Sequence, residues 1–292
     1  SQRFQFIEDQ RQDYPISRMV EVLEVSRSGY YAWRTRGPSA RKMANRQLLK
    51  QIKAIHRESE GTYGSPRITA ALQQQGISCG ENRVARLMRQ AGIQGKQTAL
   101  RKATTRRNSR QPVAPNLLQR AFTARHPNQV WLADITYIPT QEGWLYLAAV
   151  LDLFSRRIVG WAMDEHMTEA LTLTALRMAL NTRELRPGLI HHSDQGSQYT
   201  SQAYQKLLKN HGLRASMNSV GTWYDNAPME SFFGTLKAEC VNHCDYGTRR
   251  AARTNIFGYI ESFYNRRRLH SALDYMTPEA YELAAVQQLL SA

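Results

Sequence analysis

The chain is 292 residues long, with 39 Lys plus Arg against 24 Asp plus Glu, a formal charge of +15. At 42% hydrophobic and 9% aromatic it is globular rather than disordered, with room for two or three domains around a sizeable core. No apolar run approaches ~20 residues and no signal-peptide pattern opens the chain, which argues against membrane-spanning and secreted readings; three cysteines are too few for a disulfide framework and fit a reducing cytosol.

The charge is unevenly placed. Residues 1–125 hold 24 basic and 8 acidic side chains, whereas residues 126–292 hold 15 and 16. A polyanion-binding front end joined to a balanced domain is expected. In the front end, Pro15 to Trp33 reads helix, turn, helix: Ile16, Met19, Val20 and Leu23 share one face, and Ser26 can cap the second helix. Residues 1–40 are thus a helical, helix-turn-helix segment, and contact with DNA or a purely structural hairpin both fit it. Residues 41–60 form a longer basic helix with Leu48, Leu49, Ile52 and Ile55 as its stripe. A second bihelical unit follows within 41–95, read as a helix-turn-helix DNA-binding domain. Its first helix starts at Ser65-Pro66, with Pro at the first position, and ends at Gly76. Its second, Glu81 to Ala91, buries Val84, Leu87 and Met88 and turns Asn82, Arg83, Arg86 and Arg89 outward. Three arginines at spacing three suit a recognition helix on DNA; a solvated basic face is the plainer alternative.

Residues 96–125 carry eight basic and no acidic side chains, with Arg101, Lys102, Arg106 and Arg107 at the centre and Pro112 and Pro115 breaking any helix. A basic linker that gathers phosphates is expected. From residue 126 the pattern changes. Val130–Pro139 alternates as a strand, Trp144–Phe154 and Arg157–Met163 follow across tight turns, and a helix spans Thr168–Asn181. A strand at Leu189–Ser193, a helix at Ala203–His211, a strand at Leu213–Met217 and a helix at Pro228–Cys240 complete the order βββαβαβα. That is the ribonuclease-H-like α/β fold, a mixed five-stranded sheet, here assigned to 126–245, with a helical tail at 246–292.

Three acids stand out. Asp134 interrupts an apolar strand, where a lone carboxylate is costly without a cation or close hydrogen bonds. Asp194 ends the fourth strand, and Glu230 lies on the first turn of the last core helix. In the expected fold they converge, and oxygen-only ligands favour Mg²⁺ or Mn²⁺. Two such ions ~3.5–4 Å apart serve phosphoryl transfer. Lys237 shares Glu230's helix face and suits a hold on the DNA backbone. Asp152 reads as a strand-end or turn residue and Asp225 as a loop or helix-start residue. His191 and His192 fit either an orienting role or core packing; Trp223 and Tyr224 fit either base stacking or an ordinary loop. Arg266, Arg267, Arg268 and His270 form a basic cluster suited to phosphate. Cys240, His243 and Cys244 lack a fourth zinc ligand at suitable spacing.

Trp-Leu-Ala-Asp-Ile-Thr-Tyr (131–137), His-His-Ser-Asp-Gln-Gly-Ser-Gln-Tyr-Thr-Ser (191–201) and Tyr-Asp-Asn-Ala-Pro-Met-Glu-Ser-Phe-Phe (224–233) resemble the DDE core of retroviral-integrase-type transposases. More narrowly they are similar to bacterial insertion-sequence transposases of the IS-three family, whose second Asp and Glu are separated by 35 residues, as Asp194 and Glu230 are here. Gly-Thr-Tyr-Gly-Ser-Pro-Arg-Ile (61–68), Asn-Arg-Val-Ala-Arg-Leu-Met (82–88), Tyr-Asn-Arg-Arg-Arg-Leu-His-Ser-Ala-Leu (264–273) and Thr-Pro (277–278) extend the likeness over nearly the whole chain. The resemblance implies Asp134, Asp194 and Glu230 as metal-binding catalytic acids. It implies strand cleavage by water and then 3′-OH attack on another DNA phosphate, through a circular intermediate. Its partners would be duplex DNA, as terminal inverted repeats and target, and a second copy or more of the chain. Family members are often fused by frameshifting to an upstream helix-turn-helix and leucine-zipper segment; no sustained heptad occurs here, so the downstream-frame product is expected. Two rivals remain: a nuclease on the same fold that cuts without joining, and a non-catalytic DNA-binding regulator.

Overall fold

A computed structural model describes residues 2–37, 39–96, 114–119, 122–218 and 226–291. The chain forms two compact units, Ser1–Ala54 and Ile55–Ala292, the division falling inside a helix.

The first unit begins with α1 (Gln2–Gln10), which the sequence pattern did not announce, followed by α2 (Ile16–Val22) and α3 (Arg27–Thr35). Ile7, Met19, Val20 and Tyr30 form its core, flanked by Phe4, Ile16, Leu23, Val25 and Trp33. Ser26 caps α3 as expected, its Oγ accepting from the Gly29 N–H at 3.0 Å. Between the helices Glu24 takes φ 50, the left-handed step that sharpens the turn. The long α4 (Ala40–Glu58) buries Leu48, Ile52 and Ile55.

In the second unit α5 (Ser65–Gln74) starts one residue earlier than its proline suggests: Gly64 is the cap and Pro66 the second helical residue. Gly76 (φ +78) and Gly92 (φ +66) close α5 and α6 (Glu81–Gln90), and Ile77 and Ile93 N–H groups return to Leu72 and Met88 carbonyls, each at 2.9 Å.

The sheet comprises β1 (Val130–Thr140), β2 (Gly143–Asp152), β3 (Ile158–Asp164), β4 (Ile190–Ser193) and β5 (Arg214–Met217), in the order β3-β2-β1-β4-β5. The first three strands pair antiparallel, while β1–β4 and β4–β5 pair parallel. Helices α7 (Glu169–Thr182), α8 (Ser197–Thr200), α9 (Gln202–Asn210) and α10 (Ala227–Glu239) complete the ribonuclease-H-like arrangement, with α8 as one short turn not expected. Strand ends differ by one or two residues from the sequence reading. Trp131, Ala133, Val150 and Val159 pack with Leu171, Leu176 and Leu208, where each fully buried leucine is worth roughly 1.5–3 kcal/mol. Helix α7 approaches β3 so closely that a Cβ on Gly160 would lie 2.3 Å from the Ala175 carbonyl. Residues read as linker already lie on this core: Leu118 is buried, and the Leu117 N–H donates to Ser216 Oγ at 2.9 Å.

The tail contains α11 (Arg249–Gly258), a π-helical turn at Tyr259–Tyr264, and α12 (Pro278–Ser291). Asn265 satisfies the free edge of β3, accepting from the Ile158 N–H and donating to its carbonyl. Glu282 accepts from Ser155 (2.7 Å), Arg157 (3.0 Å) and Arg183 (2.8 Å), which fastens α12 to the core.

Candidate active site

Asp134 lies midway along β1, opposite Ala149 on β2, after three buried residues, Trp131, Leu132 and Ala133. Beside it runs β4 in parallel register, Leu132 against His192. Two residues beyond that pair come Asp134, on β1, and Asp194, just past the end of β4, and the charge of Asp194 bears on Asp134. Asp134 Oδ1 accepts from the Ile135 N–H (2.8 Å), and Asp194 Oδ1 from the Gly196 N–H (2.9 Å). A Cβ on Gly196 would fall 2.9 Å from that same oxygen, so the loop cradles Asp194 only because the residue is glycine. Glu230 is on the first turn of α10, exposed at the rim. The start of that helix is tied to β1: Asn226 Nδ2 donates to the carbonyl of Ala133, the residue before Asp134, at 3.2 Å.

Loss of water contact pushes Asp134 up to about 8; the charge of Asp194 adds to the rise, and that of Glu230 adds less. The Ile135 N–H and the Lys237 ammonium oppose it. Asp194 is raised by burial against the pull of the Gly196 N–H, and Glu230 is raised by burial. Among the described residues, no three His, Cys, Asp or Glu side chains lie close enough to hold a metal ion as they stand. The donor set nevertheless fits a hard divalent cation. It is all oxygen, and its two neighbouring carboxylates share only backbone N–H groups and the partial help of Lys237. Two buried oxygens, the Tyr199 hydroxyl and Asn226 Oδ1, have no hydrogen-bond partner among the described residues.

Tyr199 is a residue the sequence reading passed over. It is buried, and the charges of Asp134 and Asp194 help hold its hydroxyl protonated. The only signal was its place in the Ser-Gln-Tyr-Thr-Ser run, and nothing local says that α8 turns it inward. Lys237 sits with its ammonium 4.7 Å from the Tyr137 ring centroid. Asp152 is a strand-end residue, taking N–H groups of Asn128 (2.7 Å) and Phe154 (2.9 Å) and pairing with Arg183 at 3.4 Å. His191 and His192 are packing residues, bonded to the Tyr204 hydroxyl (3.0 Å) and Ser216 Oγ (2.8 Å), and burial pulls His191 down to about 3. Cys240 Sγ and Cys244 Sγ both face Asn255 Oδ1, and His243 Nε2 meets the Ala238 carbonyl.

Along α6, Asn82, Arg86 and Arg89 are exposed and Arg83 is half-buried. The expected basic cluster in the tail is only half on the surface. Arg266 and Arg267 are open, but Arg268 is 4% exposed and grips Glu239 through Nε (2.8 Å) and Nη2 (2.6 Å), with Tyr259 donating to the same carboxylate. Its charge is satisfied inside the protein, so Arg268 has no phosphate role. His270 is also buried, against the Tyr264 ring. Arg101, Lys102, Arg106, Arg107, Trp223, Tyr224 and Asp225 lie outside the described residues.

Comparison with known proteins adds three family models: an integrase core domain over residues 124–222, an HTH-like domain over 43–101 and a further integrase core domain over 230–285. The chain is 41% identical over 285 residues to the transposase InsF for insertion sequence IS3A of Escherichia coli, covering 96% of this chain and 98% of that protein. It is 44% identical to the transposase for insertion sequence element IS904 of Lactococcus lactis, covering 85% and 98%. It is 48% identical over 263 residues to an uncharacterized 31 kDa protein of insertion element IS600 of Shigella sonnei, covering 90% and 97%. Among solved structures, the HTLV-2 integrase catalytic core domain in complex with magnesium aligns at TM-score 0.44 and 17% identity, over 55% of this chain and 99% of that one.

Proposed function

The chain belongs to the insertion-sequence transposases of the IS-three family, DNA polynucleotidyl transferases with an integrase core, and we propose that Asp134, Asp194 and Glu230 are its catalytic acids. The integrase core implies dependence on divalent metal; here the three carboxylates would hold two Mg²⁺ or Mn²⁺ ions. When bound, the ions activate the attacking oxygen and stabilise the leaving one. The observation that supports the reading is the parallel β1–β4 pairing, Leu132 against His192, with Asp134 and Asp194 each two residues beyond it.

The protein's own part is position and charge. Asn226 anchors α10 at Ala133 and so keeps Glu230 facing β1. Gly196 holds Asp194 by a backbone hydrogen bond to Oδ1. Lys237, held at Tyr137, offers a cation to a phosphate near the acids. Water attacks a phosphodiester of one strand, breaking its P–O3′ bond to leave a 3′-OH and a 5′-phosphate; that 3′-OH then attacks a second phosphodiester in line, at the same acids, displacing the 3′-oxygen of the attacked strand.

On the binding side, Asn82, Arg83, Arg86 and Arg89 of α6 enter the major groove of the element's end. Arg101, Lys102, Arg106 and Arg107 follow the backbone. Arg266 and Arg267 meet phosphate as well; Arg267 lines a cleft of ≈ 940 Å³ together with Lys96 and Arg250. The first unit contributes its own reading helix, α3, whose exposed side carries Arg27, Tyr31 and Thr35, with no acid on the helix. Bringing two ends together calls for at least a dimer, in the nucleoid of a bacterial cytoplasm, with an upstream-frame protein or fusion as a further partner.

The test is strand transfer with a pre-cut element end in Mg²⁺. Joined product is expected, and Asp134→Asn abolishes it; cleavage without joining favours a nuclease. Asp134→Asn with undiminished activity overturns the assignment.

A further inference from the structure

The motifs Gly-Thr-Tyr-Gly-Ser-Pro-Arg and Tyr-Asn-Arg-Arg-Arg-Leu-His lie two hundred residues apart in the chain and meet in the fold. The Tyr63 hydroxyl, buried, donates to the Arg267 carbonyl (2.9 Å) and accepts from the Leu269 N–H (2.8 Å). Arg67 Nε donates to the Leu269 carbonyl (2.8 Å), and Gln74 reaches the Tyr275 carbonyl (2.9 Å). Lys96, whose own N–H donates to the Gly61 carbonyl at 3.1 Å, sends its Nζ to the Glu239 carbonyl at 2.7 Å.

Glu239 is the last residue of α10, and its side chain is the one Arg268 grips. Between Tyr63 and Glu239 the tail is held from three directions. Asn265 clasps β3, the Tyr264 ring lies edge-on to Phe232 of α10 at 4.8 Å, and Tyr259 shares the Glu239 carboxylate. The hydrogen bonds from Tyr63, Arg67, Gln74 and Lys96 use tail or helix-end backbone atoms, and one side-chain ion pair, Arg267 to Glu60 at 3.5 Å, accompanies them. α10 then runs about 14 Å from Glu239 back to Glu230. One rigid helix thus has the candidate metal-binding acid at one end and the anchor of the bihelical unit at the other.

We infer that the Tyr63–Arg67 clasp on residues 267–269, with the Lys96–Glu239 contact, is a molecular spacer that fixes how far from the DNA segment read by α6 the strand is cut. This rests on α6 as a DNA-reading helix. Tyr63, Arg67 and Lys96 are positioning residues, acting through the tail and α10. A floating bihelical unit would tether DNA but leave the scissile phosphate free to slide by a base step, and a misplacement of that size defeats in-line attack.

The experiment uses the full chain and linear duplexes carrying the terminal repeat of the element that encodes it, with zero, one or two base pairs inserted between the protected segment and the terminal nucleotide. Protection is mapped by hydroxyl-radical footprinting and cut positions by sequencing. The cut is expected to move with the footprint, and cutting at the original terminus to fall about a hundredfold. In Tyr63→Phe and in Tyr63→Phe/Arg67→Met the cuts should spread over neighbouring phosphates, with an unchanged footprint and unchanged joining of pre-cut ends. A wild-type cut that stays at the terminal sequence despite the insertions overturns the spacer, as does single-position cutting by the double variant. Arg86→Ala leaving the footprint intact instead removes the reading of α6 as the DNA-reading helix, and the spacer with it.

Discussion

Divalent-metal binding should be coupled to the loss of a proton, and the size of the coupling follows from Asp134. With its carboxyl pushed up to about 8, roughly nine-tenths of the metal-free protein carries that proton at pH 7. A metal takes the carboxylate, so binding must expel it. Calorimetric titration with Mg²⁺ or Mn²⁺ in buffers of different ionisation enthalpy should count about one proton released per protein at pH 7 and near none at pH 9. The apparent affinity should rise about tenfold per pH unit between pH 6 and 7.5 and flatten above 8. Stability follows the same sign. A carboxyl whose folded-state value is raised favours the fold fully below its ordinary range, and that contribution is lost as pH rises toward 8. The metal-free wild type should therefore lose stability from pH 5 to 8.5 relative to Asp134→Asn, and saturating metal should restore it. Proton release that is the same in Asp134→Asn, or an affinity indifferent to pH, would refute the reasoning.

Gly196→Ala drives a methyl to 2.9 Å from Asp194 Oδ1; strand transfer should fall about tenfold to a hundredfold while the thermal midpoint barely moves, checked by joining assays beside a melting curve. Glu239→Gln leaves the Arg268 guanidinium buried and unpaired, so urea unfolding should show a loss of about 3–5 kcal/mol, whereas Glu239→Leu/Arg268→Met together should recover much of it. Arg86→Ala should weaken binding of the terminal-repeat duplex and lower the slope of log K against log salt by about one, measured by titration across salt concentrations.

Much of the catalytic unit could be read from the chain alone because its information is local. A strand alternates with period two, so a carboxylate at Asp134 among Trp131, Leu132 and Ile135 is visible without knowing the sheet. Glycines at 76 and 92 mark helix ends through a conformation that few other residues adopt. The tail was harder, for the opposite reason. Three arginines in a row at 266–268 look alike to any local rule, yet the π-helical turn before them rotates only Arg268 inward, toward a glutamate 29 residues earlier. Its partner Glu239 is an acid at a helix end with no local feature to mark it. Tyr199 and Asn226 likewise matter through what lies across the sheet, which no spacing in the sequence encodes.

The electrostatics of the site and the distribution of charge along the chain bear on one another. A phosphodiester brought to Asp134 and Asp194 meets two carboxylates in a half of the chain whose charges nearly cancel, and among the described residues Lys237 is the cation whose charge bears on Asp134. The attraction resides in the basic first 125 residues, away from the acids in sequence. Binding energy gained there can help the reaction only if the two regions are mechanically joined; otherwise it tethers DNA without aligning a phosphate. The Tyr63 hydroxyl between two backbone groups of the tail, and the arginine–glutamate pair behind it, supply such a joint at the far end of the helix that carries Glu230. On that view the buried ion pair is kept less for stability, to which a leucine–methionine pair could contribute as much, than for holding the end of α10 in one place.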